Sequence, residues 1–177
     1  MILPPILVLI LLPILLLAAC APQATRIDGF RSKGPIYSNA VLDLTALAGR
    51  WTQVAAFSAT GAAGCAPGAA DFTAAPGGLV LSGRLCLNGE SLSYRGPMAF
   101  TGPGRLTPAA RAPQPLDREW WVLWADTDLR TVVIGTPDGS FGFILNRGGA
   151  LPADRLVAAR EILDWNGYDI GRLALFR

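Results

Sequence analysis

The chain has 177 residues, a formal net charge of +2 and no histidine. That length suits a single domain. Lacking histidine, it lacks the commonest general base and metal ligand, and no basic run interleaved with aromatics points to nucleic acid. The first nineteen residues, MILPPILVLILLPILLLAA, are uncharged and end in small residues before Cys20. They read as a secretory signal. The run is about long enough to span a bilayer as an uncleaved anchor, but Pro4, Pro5 and Pro13 disfavour a stable helix. The usual positive start is missing, since no Lys or Arg precedes Arg26.

Leu17-Ala18-Ala19-Cys20 resembles the bacterial lipobox. The resemblance implies cleavage before Cys20 and a lipid on its thiol. Each buried CH₂ contributes about 0.8 kcal/mol, so several acyl chains anchor stably. Ala21 in place of Asp implies the outer membrane, with the protein facing the periplasm. Lipidation of Cys20 leaves Cys65 and Cys86, an even pair in an oxidising compartment.

Residues 20–40 read as a lipidated tether and 41–177 as the folded domain. Asp43 to Leu47 suits a short helical turn. Ala48 to Phe57 is a first strand, whose alternation puts Trp51, Gln53, Ala55 and Phe57 on one face. Ser58 to Gly64 is loop. Cys65 to Ala74 and Gly78 to Asn88 flank the turn Ala75-Pro76-Gly77. If Cys65 opposes Cys86, the hairpin centre falls between Ala75 and Pro76, inside that turn, so a disulfide is expected. Asn88-Gly89 signals another hairpin. Ser91 to Thr101 follows, with a bend or bulge expected at Gly96-Pro97. Arg105 to Arg111 is a poor strand, weakened by Pro108. Trp120–Ala125, Thr131–Ile134 and Phe141–Leu145 form a meander, because turns this short permit only antiparallel pairing. Apolar residues on both of its faces require cover and closed edges, and a barrel supplies both. A helix begins at Leu151 to Asp154 with Pro152 at its first position, and Gly167 ends it. Leu173 to Phe176 is a last short strand.

Three stretches resemble lipocalin motifs: Gly49-Arg50-Trp51, then Trp121 to Asp126, then Ile144 to Arg147. The second keeps only the Asp of the usual Thr-Asp-Tyr ending. Gly167-Tyr168-Asp169-Ile170, with the lipobox, is similar to bacterial outer-membrane lipocalins. The resemblance implies an all-β fold: an eight-stranded antiparallel up-and-down β-barrel with a C-terminal helix. It also implies structural roles for Gly49, Trp51, Asp126 and Arg147, with Arg147 across the Trp51 indole, a contact of about 0.5–2 kcal/mol.

An eight-stranded interior has room for one small ligand. Parity on the strands predicts a lining of Ala55, Phe57, Trp120, Val122 and Trp124, and the family pattern adds Val133, Phe141 and Phe143. The alternative is that these side chains fill a closed core. The resemblance implies a small hydrophobic ligand or lipid as partner, with the membrane reached through the N-terminal anchor. No cofactor, metal or catalytic residue is expected. Asp126 and Asp128 suit turn chemistry better than acid–base work, and Gly61-Ala62-Ala63-Gly64 lacks the Lys-Ser/Thr of a phosphate loop. Arg105, Arg111 and Arg118 lie around loops, either as a solvated rim or as partners for a lipid phosphate.

Overall fold

The computed structural model describes residues 29–32 and 34–176. The signal segment, the Cys20 lipidation site and the chain up to residue 28 lie outside the described residues. Nine strands follow in order: β1 Gly49–Phe57, β2 Ala69–Ala75, β3 Gly78–Leu87, β4 Glu90–Gly102, β5 Arg105–Pro108, β6 Trp120–Ala125, β7 Thr131–Gly135, β8 Gly142–Asn146 and β9 Leu173–Leu175. Helix α1, Ala153–Trp165, precedes β9. Strands β1 to β8 pair antiparallel with their chain neighbours, and β8 returns to β1, which closes the barrel. Along one edge of β1, β2 pairs with Gly49 to Thr52 and β9 with Ala55 to Phe57. The open end carries the β1–β2, β3–β4, β5–β6 and β7–β8 connections. The closed end carries the Leu44–Leu47 3-10 turn, capped by Asp43, and the β6–β7 turn.

Several local expectations shift. The β2–β3 turn is Pro76-Gly77, with Ala75 opposite Gly78 and Gly77 at φ +71°. Pro followed by a glycine of positive φ suits a type II turn. The hairpin centre thus moves one residue on, and β2 starts only at Ala69. Cys65 therefore sits off the ladder, yet it is bonded to Cys86, with the Cα atoms 5.8 Å apart. β4 runs in register through Gly96 and Pro97, and its irregularity lies between Phe100 and Gly102. Gly96 is needed there because a Cβ would meet the Tyr94 hydroxyl at 2.6 Å. Pro152 is the N-cap of α1 rather than its first helical residue.

Two apolar layers result. One fills the barrel around Trp51, Phe72, Leu81, Trp120 and Phe143. The other lies between the β7–β8–β1 outer face and α1, around Phe57, Ile144, Leu163 and Tyr168. From Gly29 onward the stretch expected as tether is docked on this outer layer. Phe30 is buried against Phe57, ring centroids 5.6 Å apart. Arg31 is also buried; its guanidinium donates to the carbonyls of Asn166, Pro137, Gly34 and Pro35. Those four acceptors satisfy a buried cation without a carboxylate.

Candidate functional site

The candidate site is the barrel interior below the open end. Trp120, on β6, stands edge-to-face against Phe141 (5.6 Å, 77°) and Phe143 (5.5 Å, 84°). These two phenyl rings stack at 5.7 Å. Such pairs contribute about 0.5–1.5 kcal/mol beyond area burial. Val122 joins them inside, with Val132, Ile134 and Leu145 from the neighbouring strands. Among the described residues the one buried charged side chain, Arg31, lies on the outer layer and not in this interior. Above it sits Leu116, from the β5–β6 loop, only 1% exposed. The Trp120 indole N–H donates to the Leu116 carbonyl at 3.0 Å and holds the loop down. Beside it, the Arg118 guanidinium lies 3.6 Å from Asp138, so an ion pair links the β5–β6 loop to the β7–β8 turn on the rim. Burial pushes the Asp138 carboxyl up, but hydrogen bonds from Ser140 and Thr136 and the Arg118 charge outweigh it, and the net pKa lies below the usual range.

Four of the eight expected lining residues face the interior: Trp120, Val122, Phe141 and Phe143. Ala55, Phe57, Trp124 and Val133 do not; they belong to the outer layer under α1. Two bulges explain three of them. Between Gln53 and Ala55 the β1–β8 register slips, so Ala56 turns inward while Ala55 and Phe57 turn out. Between Val122 and Trp124 the β6–β7 register slips likewise, sending Trp124 out and Ala125 in. An extra residue in a strand inverts every face beyond it. Val133 pairs with Trp124 and Ile144 on the outer face, and its neighbours Val132 and Ile134 point in. Alternation along β2 and β3 would have found the missed interior residues Phe72, Leu79 and Leu81. Leu116 had no such signal, because it lies in a loop.

Gln53 is fully buried where β2 has left β1. Its amide N–H donates to the Cys86 carbonyl at 2.8 Å, and its oxygen accepts the N–H groups of Cys86 (2.8 Å) and Gly68 (3.1 Å). One side chain thus replaces the missing ladder and braces the disulfide. At the closed end the Arg147 guanidinium lies 3.7 Å from the Trp51 ring centroid, and the Trp51 N–H donates to Leu47 O at 2.8 Å. Burial lowers the Arg147 pKa, partly countered by Asp126. Gly49 has φ +114°, which favours glycine there. Asp126 accepts the Arg130 N–H at 2.7 Å and pairs with Arg155 of α1 at 3.1 Å, so it fastens the helix to the barrel base. None of this geometry resembles a metal centre: among the described residues no group of three or more His, Cys, Asp or Glu is placed to hold an ion.

Residues 42–176 match the family model of the lipocalin-like domain. The chain belongs to the lipocalin family. No curated protein matches this lipocalin. Its solved neighbours include insecticyanin from the tobacco hornworm Manduca sexta, with 15% identity, TM-score 0.60, and coverage of 83% of this chain and 86% of that one. Lobster apocrustacyanin A1 is 16% identical at TM-score 0.56, over 83% of this chain and 90% of that one. Ex-FABP, described as a siderocalin with dual ligand specificities, is 16% identical at TM-score 0.55, over 74% of this lipocalin and 93% of its own chain. At such identities the likeness is one of fold.

Proposed function

We propose that this lipocalin is a non-enzymatic binding protein that takes one small hydrophobic ligand through the open end of its barrel. A lipid on Cys20 holds it to the outer membrane, facing the periplasm. The observation that carries the reading is the apolar aromatic interior of Trp120, Phe141 and Phe143, packed with Leu116 of the β5–β6 loop. An apolar lining with few polar groups is the usual composition of a small-molecule site. The ligand class is a fatty acid, lysophospholipid or similar amphiphile. Its acyl chain takes the place of Leu116, and its headgroup stays at the rim near the exposed Arg111 and Arg118. The role is storage, transport or repair of envelope lipid. The signal segment and lipobox support the location.

A second reading has its own support. Trp51, Trp120, Phe141 and Phe143 are at most 1% exposed, which leaves no water-sized room against them. On this reading the barrel is filled, and the protein serves the envelope as a structural or assembly lipoprotein. Native mass spectrometry for co-purified lipid, with tryptophan emission during titration of oleate and lysophosphatidylcholine, separates the two. A bound mass and a saturable emission change are expected. If neither the parent nor Leu116→Ala binds, the filled-barrel reading stands.

A further inference from the structure

We infer that one corner of the open end, the Ser58–Gly68 loop with the adjoining Asn88-Gly89 turn, is the surface that faces the bilayer. The inference rests on the Cys20 anchor of the preceding reading. It starts from where the chain joins the fold. Gly29 lies on the β7–β8 turn, where the Phe30 N–H donates to Gly139 O at 2.7 Å. The Gly29 carbonyl accepts from Arg172 Nη1 at 3.1 Å. The Arg172 carbonyl in turn accepts the Ser58 N–H at 3.0 Å. A single residue therefore joins the incoming chain to the β1–β2 loop. Cys20 lies nine residues before Gly29. Extended chain of that length spans at most about 30 Å. An acyl anchor on Cys20 keeps Gly29 within that reach of the membrane, and Arg172 sets this corner of the mouth beside Gly29.

The same corner suits contact with lipid headgroups. Ser58 to Gly68, SATGAAGCAPG, has no charged residue, and neither has Asn88-Gly89. Bringing uncharged small residues against a bilayer avoids the cost of desolvating charge. The loop is also held in shape. The Cys65–Cys86 disulfide ties it to β3. The Asn88 side chain accepts the Ala59 N–H at 2.9 Å, and the Asn88 N–H donates to Phe57 O at 3.2 Å. At the other end the β6–β7 turn carries Asp126, Asp128 and Arg130, but the Pro76-Gly77 and Pro103-Gly104 turns there are uncharged too. The attachment at Gly29, rather than charge, therefore selects the open end. The occupant of the corner is the bilayer that holds the Cys20 lipid. The mouth then opens toward that bilayer, and an amphiphile passes between membrane and barrel across this rim without crossing bulk water.

The test places an NBD fluorophore on the full-length lipidated protein in vesicles of phosphatidylethanolamine and phosphatidylglycerol containing headgroup spin-labelled lipid. Ala59→Cys reports on the corner, and Thr127→Cys on the closed end; peptide mass first verifies that Cys65 and Cys86 remain paired. Co-flotation with vesicles is expected, with loss of NBD emission at Ala59→Cys and none at Thr127→Cys. The Cys20→Ala chain should neither float nor be quenched. Flotation with equal or stronger quenching at Thr127→Cys overturns the orientation while leaving the anchor intact. Failure of the parent to float overturns the anchor, and the orientation with it.

Discussion

Tyr168 shows how much one buried hydroxyl can organise. It accepts the Thr136 N–H at 2.7 Å and faces the carbonyls of Thr136 (3.1 Å) and Phe141 (2.9 Å), which locks the β7–β8 turn at the mouth. Gly135 and Gly142 leave room for it; a Cβ at Gly142 would lie 2.9 Å from its ring. Burial pushes the phenol up to about 12, against a usual 10.0. A folded pKa above the unfolded one means that the fold favours the neutral form. That contribution is complete below pH 10 and is lost as pH rises from there toward about 12. Tyr168→Phe strands the buried Thr136 N–H and should cost about 1–3 kcal/mol near neutral pH. The deficit relative to the parent should shrink between pH 10 and 12, as read from urea midpoints across that range.

At the scale of the element, the two bulges decide what each strand offers to the interior. Because of them, the inward Phe143 and the outward Trp124 belong to different layers. Phe143→Ala should destabilise by about 3–5 kcal/mol and alter ligand titration wherever the variant stays folded by circular dichroism. Trp124→Ala should leave the titration as it is in the parent. Equal effects of both on binding would mean that the ligand does not contact the interior layer. The disulfide belongs to this scale too. It does not continue the β2–β3 ladder; it pins the β1–β2 loop to β3 beside Gln53, across a separation of 21 residues. Replacing both cysteines by serine should cost roughly 3 kcal/mol in the chain-entropy model, measured by chemical unfolding against the oxidised parent.

For the whole molecule, α1 and the docked chain from Gly29 cover the β7–β8–β1 side, which leaves the mouth as the route to the interior. Leu116 is buried at that mouth, held by the Trp120 N–H and flanked by the Arg118–Asp138 pair. Leu116→Ala should lower stability by about 2 kcal/mol, the small end of the Leu→Ala range for a site at the rim. If the ligand takes the place of Leu116, the same substitution should speed association with oleate in stopped-flow tryptophan emission. An unchanged association rate would show that Leu116 does not gate the interior.

The strands, most turns, the cysteine pair and the family motifs were legible in the sequence, because each is written in local chemistry. Period-two runs of aromatic and β-branched residues mark strands, and Pro, Asn, Asp and Gly mark the turns between them. The meander Trp120 to Asn146 was readable for that reason, and so was the closed antiparallel barrel it required. Four of the eight expected lining residues needed the tertiary structure. Alternation carries a face along a strand only until a bulge, and nothing in Gln53-Val54-Ala55 or Val122-Leu123-Trp124 announces one. In β7 every residue from Thr131 to Gly135 is buried, because the barrel fills one side and α1 covers the other. A strand buried on both faces has no polar side from which to tell inside from outside. Leu116 and the docked segment from Gly29 are irregular chain. The segment is placed by partners more than a hundred residues away. Leu116, though tied to Trp120 four residues on, is buried by the closed barrel beneath it, which local sequence does not encode.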